Sequence, residues 1–370
     1  MINQLSLADF LSTSKNQLII DVRTPLEYEQ GHIIDALNLP LFTNEERVLV
    51  GTCYKQEGRQ PAILLGFELI GSRWAIYIRQ VSDLLKANST ATNKSNKVFV
   101  HCWRGGMRSG AMAWALSMYG FDVYVLKGGY KTYRTYCLEA LEKNYPIIIL
   151  SGKTGSAKTD TLLAMKSKGE QVIDLEGMVN HQGSSFGSKG DEYQPSQEQF
   201  ENCLAHELMQ MDMRKRIWFE NESIVIGKRV IPPVIFKQMR VAKIVDLKLP
   251  LTERIDFLDK DYGTLNPVFL KESVLKISKR LGPNETKITL QAIDENRMKD
   301  FIAQVLVYYD KTYQRSQEKR DPSTIYVLAL DEIAPEKNAN KVIWFCNEVI
   351  GNDVSKLMNQ VENEINDNRF

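Results

Sequence analysis

The feature that most restricts the possible folds of this chain is an arrangement that occurs twice. In each copy a buried strand runs directly into a glycine-bearing loop and then into a helix. The first copy is KVFVHC (97–102), followed by WRGGMRSG and a helical run that ends at residue 120. The second is PIIIL (146–150), followed by SGKTGSAKT and a helical run to residue 169. Because strand, helix and strand in this order form βαβ units, the pattern predicts an α/β protein with parallel sheets covered by helices.

The length of 370 residues predicts two domains of ordinary size. A helical stretch at 132–146 closes the first βαβ region, and the strand after it opens the second. We therefore expect one domain over residues 1–143 and another over 144–370. Within the second domain, 171–178 and 216–227 are predicted strands with acidic tips, 206–216 is a predicted helix, and the pattern turns helical from about residue 250.

Composition excludes several classes of protein. Forty-seven basic against 46 acidic residues leave a net charge of +1, so any contact with nucleic acid must come from a local basic patch. No run approaches about 20 apolar residues and the start lacks the layout of a signal peptide, which predicts a cytoplasmic protein without membrane contact. Five cysteines without a CxxC pair argue against a disulfide framework or a zinc site, and leave a thiol available for chemistry.

The first glycine-bearing loop has the features of an anion site around a reactive thiol. Cys102 ends a buried strand, and two glycines permit the dihedral angles that turn several backbone N–H groups toward one point. The following helix adds its positive end and two arginines add fixed charge, which together favour a thiolate. We predict Cys102, Arg104 and Arg108 as catalytic groups and Gly105, Gly106 and Ser109 as the anion cradle. On the neighbouring strand, Asp21 and Arg23 either orient this loop or form an ordinary structural salt bridge.

The second loop, GKTGSAKT (152–159), matches a phosphate-binding P-loop except that Ala157 stands where the motif has glycine. Its backbone N–H groups are expected to hold a diphosphate, with the lysine bridging its oxygens and the threonine able to hold Mg²⁺. The predicted diphosphate-binding residues are Gly152, Gly155, Ser156, Lys158 and Thr159. Candidate residues of a second site, for which an ordinary structural role is equally open, are Asp174, Glu176, His181, Ser184, Ser185, Glu220 and Glu222.

Three segments of the first half resemble the rhodanese family, in the order that this family uses. They are DVRTPLEYEQGHIIDALNLP (21–40), VHCWRGGMRS (100–109) and VLKGGYKTYR (125–134). The resemblance implies a rhodanese fold whose loop cysteine carries sulfur or selenium. The run from Cys102 to Arg108 is one residue longer than the common sulfurtransferase loop and is similar to that of dual-specificity phosphatases. A Cys-x5-Arg phosphatase, a plain sulfurtransferase and a non-catalytic sensor of phosphorylated ligands therefore remain open at this point.

The whole chain, from residue 21 to about 320, resembles the bacterial tRNA 2-selenouridine synthase family, in which a rhodanese domain precedes a P-loop domain. The further matching segments are 50–70, 172–187, FENCLAHEL (200–208), 218–227, SKRLG (278–282) and YYDKTYQRSQEKR (308–320). The resemblance implies a transferase that converts wobble 2-thiouridine of tRNA to 2-selenouridine through S-geranyl-2-thiouridine. Geranyl diphosphate and selenophosphate are the implied co-substrates, with no tightly bound cofactor, and Cys102 is the implied selenium carrier. We accordingly expect the P-loop to hold the prenyl diphosphate rather than a nucleotide.

The last matching segment, 308–320, interleaves cations with tyrosines. Lys311, Arg315 and Lys319 follow an i, i+4, i+8 spacing, which predicts three cations on one face of a helix. Such a face is either an ordinary solvated surface or a surface that contacts RNA phosphates. The candidate tRNA-binding residues are Lys311, Arg315, Lys319, Arg320, Tyr309 and Tyr313.

Overall fold

The computed structural model describes residues 2–87, 95–180, 193–263 and 265–351. The chain divides into two compact units. The first unit comprises Met1–Ala140 together with Pro195–His206, and the second comprises Leu141–Gln194 together with Glu207–Phe370. The segment Pro195–His206 thus belongs to the first unit although the P-loop strand of the second unit precedes it in sequence.

The first unit is built on a five-stranded sheet in which all the pairings are parallel. The strands are β1 (Ile2–Leu5), β2 (Leu18–Asp21), β3 (Leu37–Asn38), β4 (Lys97–His101) and β5 (Asp122–Leu126), in the order β1-β5-β4-β2-β3. The helices are α1 (Leu7–Thr13), α2 (Pro25–Gln30), α3 (Asn44–Gln56), α4 (Arg59–Ile70), α5 (Trp74–Ala87), α6 (Met107–Tyr119) and α7 (Gly129–Leu141). The predicted βαβ unit of β4, α6 and β5 is confirmed.

Local sequence signals explain where the helices next to the Cys102 loop begin and end. Thr24 and Glu27 form a capping box at the start of α2, with Pro25 in its first turn. Helix α6 follows Gly106 and ends at Gly120, whose left-handed conformation (φ 111°) suits a glycine C-cap. Because α6 packs on β4 and β5, its first turn is fixed beside the end of β4, where Cys102 lies.

One helical stretch, Arg59–Ala87, is long and apolar enough by length and composition to cross a membrane. In the fold it consists of α4, a 3₁₀ turn at Gly71–Arg73, and α5. Its side chains Ile70, Tyr77 and Val81 belong to the core that packs under the sheet. The stretch thus packs on the core with one side, whereas Leu64, Phe67 and Ile76 on it are exposed.

The second unit contains another five-stranded parallel sheet and a separate antiparallel hairpin. The sheet strands are β6 (Ile147–Gly152), β7 (Gln171–Ile173), β8 (Ile217–Glu220), β11 (Lys243–Lys248) and β12 (Ile325–Ala329), in the order β12-β11-β6-β8-β7, and the hairpin strands are β9 (Val225–Ile226) and β10 (Arg229–Val230). The helices that follow α7 along the chain are α8 (Lys158–Ser167), α9 (Leu175–Met178), α10 (Gln197–Gln210), α11 (Pro233–Val241), α12 (Leu251–Tyr262), α13 (Pro267–Leu281), α14 (Pro283–Asp294), α15 (Met298–Gln317) and α16 (Pro335–Phe345).

The α/β fold class is confirmed, whereas three predicted elements of the second half differ in detail. The strand predicted over 171–178 ends at Ile173, because Asp174 caps the short helix α9 by accepting a hydrogen bond from the Gly177 amide at 2.8 Å. The helix predicted over 206–216 ends at Gln210, and the strand predicted over 216–227 is divided into β8 and β9. The predicted helical end also contains β12, which pairs with β11 and completes the sheet.

Candidate active-site loops

The sulfur of Cys102 lies at the end of β4, facing the first turn of α6. Cys102 is 4% exposed, and its Sγ lies 3.2 Å from the Oγ of Ser109, which is fully buried. Burial alone would raise the pKa of the thiol. The surrounding groups outweigh burial and lower the pKa of the thiol below its ordinary value of 9.0. They are the hydrogen bonds from the Ser109 hydroxyl and amide, the charge of Arg108 and a hydrogen bond from the Arg104 amide. The loop therefore stabilises the anionic form of the Cys102 thiol more than an ordinary cysteine environment does.

Close backbone packing gives the loop its shape. Gly105 has φ of 63°, and a Cβ atom there would lie 2.3 Å from the carbonyl oxygen of Leu126. Gly129, in the facing turn, also has φ of 63°, and a Cβ atom there would lie 2.4 Å from the carbonyl oxygen of Cys102. Glycine is required at both positions because the two turns touch through their backbones. Gly106, by contrast, has open space where a Cβ atom would lie.

The two arginines of the loop differ in their surroundings. Arg104 is exposed, and its backbone amide rather than its charge acts on the sulfur. Arg108 is 14% exposed and forms a bidentate ion pair with Glu27, with Nη1–Oε2 and Nη2–Oε1 distances of 2.5 and 3.0 Å. Burial would raise the pKa of Glu27, but the hydrogen bond and charge of Arg108 lower it to about 2. Glu27, which also caps α2, thus fixes the guanidinium beside the thiol.

Asp21 and Arg23 form a completely buried pair beneath the loop. The Arg23 guanidinium donates to both carboxylate oxygens of Asp21 and, at 2.6 Å, to the carbonyl oxygen of Gly31. Its Cζ lies 3.9 Å from the ring centroid of Tyr130. His101 is also buried, with Nε2 3.8 Å from Asp21 Oδ2, and burial lowers the pKa of His101, which favours the neutral ring. Breaking such a buried pair would leave an unpaired charge and destabilise the fold strongly.

The P-loop of the second unit follows β6 and leads into α8, as its sequence predicts. Gly155 has φ of 82°, and a Cβ atom there would lie 2.9 Å from Leu258 Cδ1 of α12. Ala157 keeps the left-handed conformation (φ 49°, ψ 42°) that glycine adopts without strain. Alanine in place of the motif's glycine therefore keeps the left-handed backbone at this position, and its methyl group causes local strain there.

The acidic strand ends lie around the last two residues of the P-loop motif. Glu220 accepts a hydrogen bond from Thr159 Oγ1 at 2.8 Å, and one of its oxygens lies 3.4 Å from Lys158 Nζ. Burial, followed by the charges of Glu220 and Glu176, raises the pKa of Glu222 well above its ordinary value.

Asp174 and Glu176 line the same small cavity as Thr159 and Glu220. These oxygen donors suit a hard cation held together with a diphosphate. No group of three or more His, Cys, Asp or Glu side chains able to bind a metal occurs within the described part of the chain.

Three residues that the sequence did not single out connect the P-loop to the helices of the second unit. Arg254 of α12 donates to the carbonyl oxygen of Thr154 at 2.9 Å and forms a bidentate ion pair with Asp310 of α15, at 3.0 and 2.6 Å. Lys153 of the loop binds the same carboxylate at 3.0 Å. Asp310 lies in the segment 308–320, and an acidic residue among the cations of that segment was the sequence signal that could have identified it.

The predicted cationic face of 308–320 is only partly present. Lys311 and Arg315 are exposed on α15, whereas Lys319 is exposed but lies beyond the helix, which ends at Gln317. Arg320 is 6% exposed and donates to the carbonyl oxygens of Met239 and Arg240. Burial and the charge of Arg240 lower its pKa to about 10.

Two tyrosines of this segment, Tyr309 and Tyr313, are half-buried and packed within the fold. Tyr313 donates to Asp246 and lies 2.9 Å from Ser151 Oγ, at the end of the P-loop strand. Tyr309 is half-buried against the helical core of α12–α15. Arg280, from the SKRLG segment, is exposed and donates to Tyr308 at 3.4 Å, so it adds an unpredicted cation to the face that carries Lys311.

Comparison with known proteins agrees with both halves of the fold. The rhodanese-like domain family matches residues 5–136, and the tRNA 2-selenouridine synthase AAA domain family matches residues 145–338. The tRNA 2-selenouridine synthase of Shewanella frigidimarina is 32% identical over 346 residues, covering 84% of this chain and 92% of the relative. That of Shewanella piezotolerans is 35% identical over 337 residues, covering 82% and 89%. The chain belongs to the tRNA 2-selenouridine synthase family.

Among solved structures, a rhodanese-related protein from Thermoplasma volcanium is 20% identical and covers 35% of this chain and 88% of its own, with a TM-score of 0.21. Membership of the tRNA 2-selenouridine synthase family makes the chain a tRNA-modifying enzyme, as the motifs predicted. Of the predicted second-site residues, His181, Ser184 and Ser185 lie outside the described residues.

Proposed function

We propose that this enzyme converts wobble 2-thiouridine of tRNA to 2-selenouridine in two transfers, with Cys102 as the selenium-carrying nucleophile. In the first transfer the thiouridine sulfur attacks C1 of geranyl diphosphate, so that a C–S bond forms and diphosphate leaves with the electron pair of the broken C–O bond. In the second, selenium from selenophosphate replaces the geranylthio group at C2. With water, the overall products are diphosphate, 2-selenouridine, geranylthiol and phosphate. Because selenium in selenophosphate is at the selenide level, forming the S–Se bond on Cys102 with release of phosphate uses a two-electron oxidant such as a disulfide. After selenium has displaced the geranylthio group at C2, a thiol reductant breaks the S–Se bond, so that oxidant and reductant cancel in the overall reaction.

The observation that carries this proposal is the set of donors around the Cys102 sulfur. The Ser109 hydroxyl at 3.2 Å, two backbone amides and the charge of Arg108 all favour the anionic thiol. A thiolate with such donors is suited to bonding a soft atom such as selenium. The same donors and the Arg104 side chain can hold the phosphate part of selenophosphate.

The P-loop supports the first transfer. Lys158 and Thr159 lie at the start of α8, whose N-terminus favours anions, and the loop is held in place by Arg254 and Lys153. A diphosphate leaving group needs charge neutralisation as the C–O bond breaks, which Lys158 and a Mg²⁺ bound near Thr159 and Glu220 would supply. Titration calorimetry checks the ligand: geranyl diphosphate should bind more tightly than ATP, and tighter ATP binding would contradict the assignment.

For the tRNA, we assign Lys311 and Arg315, together with Arg280, as phosphate contacts. All three are exposed. Lys319 stays a candidate contact outside the helix, whereas the buried position of Arg320 and the bonds of Tyr313 suit a structural role better than an RNA contact. Because these contacts neutralise phosphates, binding should weaken steeply with salt. We also propose that the enzyme works in the cytoplasm, where its tRNA substrate is present.

Nucleoside mass spectrometry separates the two transfers. An RNA with 2-thiouridine is incubated with geranyl diphosphate and selenophosphate, in a thiol–disulfide buffer, with the wild-type protein or with Cys102→Ser. The variant should accumulate S-geranyl-2-thiouridine and form no 2-selenouridine, whereas Lys158→Ala should leave the 2-thiouridine unreacted but still selenate RNA that is already geranylated.

Cys53→Ser is the matched control, because the pKa of the Cys53 thiol is raised rather than lowered, and it should behave as wild type. Formation of 2-selenouridine by Cys102→Ser at the wild-type rate would refute the role of Cys102. Hydrolysis of an aryl phosphate that depends on Cys102 would instead favour a phosphatase.

A further inference from the structure

The segment FENCLAHEL (200–208) matches the family, yet neither transfer assigns it a role. In the structure it belongs to α10, whose first part lies in the first unit with the Cys102 loop. Phe200, Leu204 and Ala205 are completely buried. The polar residues of the same part, Glu198 and Asn202, form hydrogen bonds to Tyr130 in the first turn of α7.

The beginning of α10 covers the turn after α2. The backbone amide of His32 donates to Gln199 Oε1 at 2.8 Å, and Asn202 Nδ2 donates to the carbonyl oxygen of His32 at 3.4 Å. A Cβ atom on Gly31 would lie 2.8 Å from Glu198 Cγ and 2.5 Å from the hydroxyl of Tyr130. No side chain larger than hydrogen therefore fits at Gly31 without displacing these two residues.

Tyr130 is the point at which α10 reaches the site. Its hydroxyl donates to Glu198 Oε1 at 2.6 Å and accepts from Asn202 Nδ2 at 2.8 Å. Arg134, one turn further along α7, donates to Asn202 Oδ1 at 2.9 Å and also pairs with Glu201. Two neighbouring turns of α7 are thus attached to α10.

The other end of Tyr130 holds the Cys102 loop. Its backbone amide donates to the carbonyl oxygen of Cys102 at 2.8 Å, and the next amide, that of Lys131, donates to the carbonyl oxygen of Trp103 at 3.0 Å. The Tyr130 ring lies on the Arg23 guanidinium, which is paired with Asp21. The direction of the loop amides therefore depends on where the first turn of α7 lies.

We propose that Glu198 and Asn202 of α10 are positioning residues for the selenium-transfer loop, which they hold in its anion-binding shape through the hydroxyl and backbone of Tyr130. The first unit therefore needs Pro195–His206 to complete its own site. This inference rests on the proposed role of Cys102. The reaction of the thiol with a small alkylating agent tests it independently, since that reaction requires neither tRNA nor selenophosphate.

The test compares full-length variants by the pH dependence of Cys102 alkylation with iodoacetamide, measured on the Cys102 peptide by mass spectrometry. Glu198→Ala removes the acceptor of the Tyr130 hydroxyl, whereas Glu198→Gln retains an oxygen there. For Glu198→Ala we expect the alkylation rate at neutral pH to fall about fivefold and the midpoint of the pH profile to rise. A fivefold change is about the effect of losing one ordinary hydrogen bond. Glu198→Gln should match the wild type. Glu139→Gln, an exposed change on α7, is the control and should also be unchanged.

The sign of the shift distinguishes positioning from simple electrostatics. Removing a negative charge near the thiol would lower its pKa in both Glu198 variants, whereas loss of positioning raises it in Glu198→Ala alone. If Glu198→Ala does not fold, Tyr130→Phe, which keeps the ring over Arg23 and removes only the hydroxyl, should show the same upward shift. A lower melting temperature with an unchanged pH profile, in either variant, would overturn the proposal and leave α10 as a purely structural element.

Discussion

Removal of the Ser109 hydroxyl should raise the pKa of the Cys102 thiol by about one unit. The hydroxyl lies 3.2 Å from the sulfur and is completely buried, so that water cannot replace it without rearrangement. A hydrogen bond to a charged group is worth roughly 1.5–3 kcal/mol, and one pKa unit corresponds to about 1.4 kcal/mol. The lower end applies because the Ser109 and Arg104 amides and the charge of Arg108 remain in Ser109→Ala.

The assay is the rate of iodoacetamide reaction at the Cys102 peptide as a function of pH. Because the thiolate is the reactive form, Ser109→Ala should react about tenfold more slowly at pH values below both midpoints, and the two rates should converge at high pH. Ser117→Ala, two turns further along α6, controls for the effect of alanine on the helix and should leave the profile unchanged. An unchanged midpoint in Ser109→Ala, in a protein that melts as the wild type does, would refute the account of how the loop holds its anion.

Three further predictions concern stability and RNA binding. Glu27→Gln should destabilise the protein by about 3 kcal/mol at neutral pH. The pKa of Glu27 is about 2 in the folded protein, against an ordinary value of 4.5. The difference in free energy of unfolding between variant and wild type should therefore be complete above pH 4.5 and disappear as the pH falls toward 2, which denaturant titrations at several pH values would measure. Ala157→Gly should raise the melting temperature by a few degrees, because glycine adopts φ of 49° without the roughly 1–2 kcal/mol cost of a side chain. Lys311→Ala should reduce the salt dependence of tRNA binding by about one phosphate contact, measured by fluorescence anisotropy, whereas Lys299→Ala, whose charge is paired with Asp256, should not.

The parts of the site that neighbouring residues build could be predicted from the sequence. The Cys102 loop needs only a strand, glycines and a following helix, all within a few residues, and the same is true of the P-loop. Gly105 could be assigned a special backbone conformation because the loop must turn sharply there. The donors that lower the pKa of the Cys102 thiol also lie within the same few residues.

The parts that depend on distant residues could not be predicted. The i, i+4, i+8 spacing placed three cations on one face, but the helix ends before Lys319, and Arg320 binds carbonyl oxygens of residues 239 and 240. Likewise, the attachment of α10 to Tyr130 joins residues about 70 positions apart, for which periodicity carries no signal. Strand β7 was predicted too long because the tendency of Asp174 to cap a helix outweighed the strand pattern.

The most direct test of selenium transfer through Cys102 is mass spectrometry of the protein itself. The full-length enzyme is incubated with selenophosphate and a small disulfide as oxidant, quenched without reductant and digested, and each of the five cysteine peptides is measured. Our account predicts that the Cys102 peptide alone gains one selenium atom and passes it to geranylated RNA when that RNA and a thiol reductant are added. Selenation of the RNA while the Cys102 peptide stays unmodified at every time point, or selenium bound at another cysteine, would contradict it.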